Sequence, residues 1–359
     1  MKRFSAMLLA LALASTALPA FATGTVNNDV WLKDTAGNPI YAQGGNISKF
    51  GNTFYWIGGQ YAGSVSYYNG GTPPTQSGNS DAVFQQINVY TSIDLINWEP
   101  HNPLVTTSTP GFSDTSWVAR MGAMLYNSST KLYVIWTEYE GSEGSGMACL
   151  TSTSPLGPFT INNVQTTIGN VYDNIEGDSS TFIDVDHDST PYLIFSDSHG
   201  REHAYVSPLS SNYETIEPAT LISEWPQGQE ANNMFERDGV YYYIMSNLAG
   251  WSYSSAYAVW GTGIQTPSSY TKDAAFAGTT ADDTHHSQVS FCYELIGSSA
   301  TSYIYVGDRW SDFDISYENA GYGKSYNTWG VVTFNGNTPT YNSASSVTIS
   351  YSTGVVTFH

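Results

Sequence analysis

Residues 229–251 read QEANNMFERDGVYYYIMSNLAGW, and they decide the fold. An apolar strand begins at Glu230, breaks at the polar turn Glu236-Arg237-Asp238-Gly239 and returns along Val240 to Met245. Asp-Gly supplies the positive φ angles of a tight turn, and aromatic residues fit a pleated surface, so the stretch is a β-hairpin. A carboxyl group at the mouth of a strand, with Trp251 and Tyr253 to wall it, is disposed to have its pKa raised by desolvation and to stay a proton donor near neutral pH. Glu230 is therefore the candidate general acid.

Working outward, the same pattern of apolar strand, polar turn and aromatic strand recurs in residues 46–59, 122–138, 180–197 and 287–310. The intervals, roughly 50 to 75 residues, suit four-stranded sheets arranged radially. Third and fourth strands follow in several repeats, as in INVYTSIDLINW and HAYVSPLS, and Pro, Gly and Ser interrupt every candidate amphipathic helix. A β-sandwich shares these strand signals, but the repeat favours a propeller. The expected fold is all-β, a five-bladed β-propeller occupying residues 23–359 as one domain, with the last strands, SVTISYSTGVVTFH, closing the final blade.

In a propeller the innermost strand of each blade starts near the axis, so polar groups just before these strands converge on one face. Gln43 and Asn46 stand before the first, Arg120 before the second, Asp178 before the third, Glu230 before the fourth, and His285, His286 and Gln288 before the fifth. Two carboxyl groups across one pocket, Asp178 and Glu230, are the equipment of glycoside hydrolysis: one protonates the departing oxygen while the other raises its pKa, orients it or acts as base. Trp117, Trp251 and Trp310 are the aromatic residues expected near a sugar ring.

The ends and the charge bound the class. MKR, the apolar run Met7–Ala14 and Ala20-Phe21-Ala22 describe a secretory signal peptide in residues 1–22, which implies a secreted or periplasmic product. No later run is long and apolar enough to span a bilayer. Once Lys2 and Arg3 leave with the signal, 9 basic side chains face 31 acidic ones, a balance that repels nucleic acid. Neutral polyols are the fitting ligands, and a monomer is expected.

With these motifs in place, the chain resembles glycoside hydrolase family 43, and within it the exo-β-1,3-galactanase branch. The resemblance rests on IYAQGGNISKFGNTFYWIGG, GDSSTFIDVDHDSTPYLIFSD, the 229–251 hairpin ending in Gly-Trp, and HSQVSFCYEL followed by YIYVGDRW. It covers nearly all of the chain after the signal. It implies a five-bladed propeller that inverts the anomeric centre, with Glu230 as general acid, Asp178 as the aspartate that modulates its pKa, and Gln288 handling the nucleophilic water. The general-base aspartate of most of the family has no counterpart in AQGGN, a lack shared with the galactanase branch. Two glutamates common in that branch are also missing, where this chain has Gly58-Gly59-Gln60 and Ala119-Arg120-Met121; Glu138 is placed to compensate in part. Gln43, Arg120, Glu138, Trp251 and Trp310 are read as substrate-binding.

The remaining features carry less. Asp184–Asp188 imitates the start of a calcium loop but lacks its glycine and distal glutamate, and reads as a hairpin turn. No metal or other cofactor is required by the reading, although His285 and His286 are candidates for holding a structural ion. Asp308-Arg309 beside Trp310 reads as an ion pair near the axis. Cys149 and Cys292, in different repeats, read as two buried thiols, with a disulfide as the alternative. The expected function is a secreted exo-β-1,3-galactanase acting on plant cell-wall polysaccharide of the arabinogalactan type. The alternatives are an α-L-arabinofuranosidase or β-xylosidase of the same family, or a carbohydrate-binding propeller without catalysis.

Overall fold

The computed structural model describes residues 23–70, 82–173, 178–184, 189–272, 275–310 and 325–359. The expected signal peptide, residues 1–22, and residues 185–188 of the stretch expected to form an aspartate-rich turn lie outside the described residues. Among those residues no helix is long and apolar enough to cross a membrane.

The decisive hairpin forms as its sequence dictates. Gln229–Arg237 pairs antiparallel with Val240–Asn247, and Arg237 lies opposite Val240, so the turn is two residues long. Asp238 and Gly239 both take positive φ, the geometry that matches the twist of the flanking strands. The four other repeats also fold as hairpins that open a sheet. Their inner strands are Gln43–Phe50, Trp117–Met121, Ser179–Ile183 and Gln288–Ile296. Each sheet then runs outward through antiparallel neighbours in chain order.

The expected count of five blades is corrected: the described residues form a β-propeller of six antiparallel sheets. The inner strands of five sheets pack side by side in a closed ring. The sixth joins the two ends of the chain, Thr23–Asn27 pairing with Ser346–Ser350, which pairs in turn with Val355–Phe358. It packs against the second and third strands of the fifth sheet. Residues 346–358 therefore do not close the final blade, as the sequence pattern suggests; they bind the opposite end of the chain, a pairing with no local signature. Val26, Trp56, Trp98, Trp329, Val347 and Ile349 fill the core where this sheet meets the first and fifth.

Two smaller points differ from or complete the sequence reading. Ala62–Tyr68 is a short helix, too brief for hydrophobic periodicity to reveal. Cys149 and Cys292 are free and buried in separate apolar clusters.

Candidate active site

Four of the inner strands begin with a β-bulge, and these bulges aim the site. The pairing register slips between Gln43 and Asn46, between Ala119 and Met121, between Glu230 and Asn233, and between Val289 and Phe291. An extra residue bends a strand and redirects its side chains, which is how sheets commonly present functional groups. Gly44, Arg120 and Ala231 take positive φ within these bulges. Gly44 needs its lack of a side chain twice over, because a Cβ there would also lie 2.6 Å from the Trp310 ring. Just before Gln288, residues 283–286 form a left-handed turn, every one at positive φ. Arg309 holds that turn by donating to the carbonyls of His285 at 2.9 Å and His286 at 3.2 Å.

Around the axis these strand heads enclose a pocket lined by Trp117, Arg120, Asp178, Glu230, Gln288 and Trp310, together with Ala119, Arg201, Gly250 and Trp251. Glu230 and Asp178 are both buried. Glu230 Oε1 accepts from the Ala249 amide at 2.7 Å and from Gln288 Nε2 at 2.6 Å. Its Oε2 lies 3.3 Å from Arg201 Nη1. Asp178 Oδ1 is 3.1 Å from the same Arg201 nitrogen, and its Oδ2 accepts from Arg120 Nε at 3.2 Å and from the Ala231 amide at 2.8 Å. The bulge that aims the acid thus also grips the aspartate.

Two guanidinium groups lie among four carboxyl groups here, so ionising all four is costly. Burial, then the nearby charge of Asp178, pushes Glu230 up to about 7, against the opposing pull of Arg201. Glu138 is raised to about 7 by burial and Asp178 in the same way, and burial lifts Asp308 to about 6 despite Arg120. For Asp178 burial acts upward, but Arg120 and Arg201 together hold its carboxyl below the usual range. The surroundings thus push the two carboxyl groups apart, Asp178 toward the ionised form and Glu230 toward keeping its proton up to about pH 7.

Gln288 links the walls to the acid. Its oxygen accepts from Trp310 Nε1 at 2.9 Å and from Arg120 Nη2, and its amide nitrogen donates to Glu230 and, at 3.4 Å, to the Gly250 carbonyl. The Arg120 guanidinium lies 4.8 Å from the Trp310 ring centroid and pairs with Asp308 at 2.9 Å. Trp251 meets Trp117 and Trp310 edge-on at 5.4 and 5.0 Å, so three indoles form one continuous wall.

The structure brings Glu230, Asp178, Gln288, Arg120, Trp251 and Trp310 together as the strand heads suggest. Gln43 is not among the residues that line the pocket; it donates to the carbonyls of Arg309 and Trp310 at 2.6 and 3.1 Å and accepts from Ser64, which props the wall. Glu138 stands directly opposite Ala119 across the strand pair, beside the Trp117 indole, with its Oε2 buried and without a hydrogen-bond partner among the described residues. Tyr253 packs on His286, edge-on with ring centroids 4.8 Å apart. The ion pair read from Asp308-Arg309 is not formed; Asp308 pairs with Arg120, 188 residues away, and Arg309 holds the turn before Gln288. His285 directs its ring nitrogens to Ser343 at 2.9 Å and Asp29 at 3.0 Å, which ties the two chain ends to the fifth sheet. Among the described residues no group of three His, Cys, Asp or Glu side chains is arranged to hold a metal ion.

Arg201 escaped the sequence reading. It sits in the polar turn His199-Gly200-Arg201-Glu202 after the second strand of the third sheet, where nothing in the strand pattern marks it. Its only signal is scarcity, since the whole chain has 11 Lys and Arg.

Comparison with known proteins follows this geometry. The family model for glycosyl hydrolases family 43 matches residues 46–289. Among solved structures, the exo-β-1,3-galactanase of Clostridium thermocellum is 25% identical and superposes with a TM-score of 0.74 over 93% of this chain and 68% of its own. The exo-β-1,3-galactanase of Phanerochaete chrysosporium, solved with β-1,3-galactotriose, is 24% identical with a TM-score of 0.72 over 93% of this chain and 70% of its own. A search of curated proteins found no match.

Proposed function

Because the chain belongs to glycosyl hydrolases family 43 and so cleaves glycosidic bonds, we propose that it is an exported, inverting exo-β-1,3-galactanase acting on arabinogalactan-type plant polysaccharide. The observation that carries the reaction is the pair of buried carboxyl groups in one pocket, bridged by Arg201, with Glu230 raised to about 7 by burial and Asp178, and Asp178 lowered by Arg120 and Arg201. The galactan reading is supported by the likeness to the two galactanases and by the lack of an aspartate at the head of the first inner strand, where Gln43 stands. The leader-like residues 1–22 support export.

In this reading Glu230 is the general acid. Its proton passes to the glycosidic oxygen as the bond to the anomeric carbon breaks, while water bonds to that carbon from the opposite face and gives up its own proton to the surrounding solvent. Asp178 stays ionised; its charge holds the proton on Glu230 before the reaction, and Arg201 steadies the glutamate once it is ionised. Gln288 has both oxygen lone pairs directed to Arg120 and Trp310, which leaves none to take a proton from water. We therefore assign Gln288 to holding the acid, a change from the water-handling role implied by the family resemblance. The indole wall of Trp117, Trp251 and Trp310 supplies apolar surface for the C–H face of a sugar ring.

The test is product analysis by NMR after incubation with β-1,3-galactan, arabinan and xylan oligosaccharides. Galactose released one unit at a time and first seen as the α-anomer is the expected result. β-Galactose as the first product would overturn inversion, and cleavage of only arabinan or xylan would overturn the sugar assignment.

A further inference from the structure

The loop that carries Arg201 has a second face. Arg201 reaches Glu230 and Asp178, while His199 and His203, two residues to either side, meet the ring of Tyr172. Tyr172 stacks on His203 with ring centroids 4.9 Å apart and planes 26° apart, and meets His199 edge-on at 5.0 Å. The support beneath it is rigid. His203 Nδ1 lies 2.8 Å from the buried carboxylate of Asp197, and the Tyr172 amide donates to the Tyr205 hydroxyl at 3.0 Å. Tyr205 in turn stacks on the core residue Phe195 at 5.3 Å. Yet Tyr172 is 70% exposed, the highest value among the exposed large apolar or aromatic residues described.

A large aromatic ring fixed on one side and open on the other is pre-organised to stack on a ligand, because little side-chain entropy remains to be lost. Its position selects the ligand. Arg201 lines the pocket beside Glu230, so a leaving group that takes its proton from Glu230 passes the loop that carries Arg201. Arg201 and His203 are at most about 7 Å apart along the backbone, so the Tyr172 platform is built on the loop that borders that side of the pocket.

We propose that Tyr172, backed by His203 and His199, is a binding platform for a sugar of the leaving-group chain, beyond the bond that is cleaved. The ligand class is a neutral β-linked oligosaccharide presenting an apolar pyranose face. The inference rests on Glu230 being the acid, since that places the leaving side. It gives the enzyme a means of preferring long chains over short ones without any contact to the sugar being released.

The experiment compares kcat/KM for a trisaccharide and for an aryl glycoside of the same sugar in wild type, Tyr172→Ala and Tyr172→Phe. Substrates are drawn from galactan, arabinan and xylan panels, so that failure of the galactan assignment leaves the platform testable. Loss of one stacked sugar should lower the ratio of trisaccharide to aryl glycoside about 10-fold in Tyr172→Ala, with Tyr172→Phe close to wild type. In parallel, calorimetric binding of trisaccharide and monosaccharide is measured in Glu230→Gln, with and without Tyr172→Ala. Loss of the chain-length gain in affinity on adding Tyr172→Ala supports the platform even where turnover is undetectable. An unchanged ratio in Tyr172→Ala, or an equal loss on both substrates or both ligands, would overturn it.

Discussion

Burial and the charge of Asp178 favour the proton on Glu230 against the pull of Arg201, and Arg201 is the cation whose removal reports this balance most cleanly. Arg201 touches both Glu230 and Asp178, and it favours the ionised form of each. Replacing it by Met removes a positive charge from beside the acid, so the protonated form of Glu230 gains and its pKa rises further. The basic limb of the activity profile, set by loss of that proton near pH 7 in the wild type, should then move to higher pH in Arg201→Met. A limb that stays in place or moves to lower pH would show that Arg201 does not act on the acid. At this scale the sequence disclosed Glu230, Asp178 and Gln288, because each stands at the head of an apolar strand, where a polar residue is conspicuous. Arg201 stands in a polar turn, where an arginine is ordinary, and so it was not legible. Nor was the partner of Asp308: the neighbouring Arg309 looked sufficient, and only closure of the ring brings Arg120 within 2.9 Å.

The β-bulge is the element on which the site depends. Ala231 sits at φ +59° in the bulge of the fourth inner strand, fully buried, with its amide on Asp178 and the acid immediately before it. Positive φ is strained for a residue with a Cβ and more so for a β-branched one. Ala231→Val should therefore lower stability by about 1–3 kcal/mol, read from chemical denaturation, and should also lower turnover by moving Glu230 away from Asp178. Ala231→Gly relieves the same strain and should fold at least as well. A Val variant as stable and active as wild type would mean that the bulge does not constrain the site. Sequence exposed the hairpins, since Asp238-Gly239 and the aromatic return strand are strong local signals. The bulges were hidden, because the bulged ends of these inner strands are buried on both faces and offer little alternation for an extra residue to invert. The helix Ala62–Tyr68 was hidden for a related reason, being shorter than the two turns over which periodicity can be seen.

Over the whole molecule, the repeat revealed how the chain builds sheets, and it missed the one sheet that does not follow the repeat. The sixth sheet pairs Thr23 with Ser350, and no periodic pattern relates residues so far apart. Its role in the site is indirect. Asp29, just beyond its first strand, meets His285, whose carbonyl accepts from Arg309 ahead of Gln288. The organisation is that of a ring in which several separate sheets deliver groups to one pocket, and the central claim is that this convergence makes Glu230 a general acid. The most direct test is Glu230→Gln, assayed on unactivated β-1,3-galactan and on an aryl galactoside whose leaving group is stable as an anion. Protonation of the leaving oxygen matters for the first substrate and little for the second, so the variant should lose about 100-fold or more on galactan while largely sparing the aryl galactoside, and its basic pH limb should vanish. Wild-type turnover of galactan by Glu230→Gln would contradict the account.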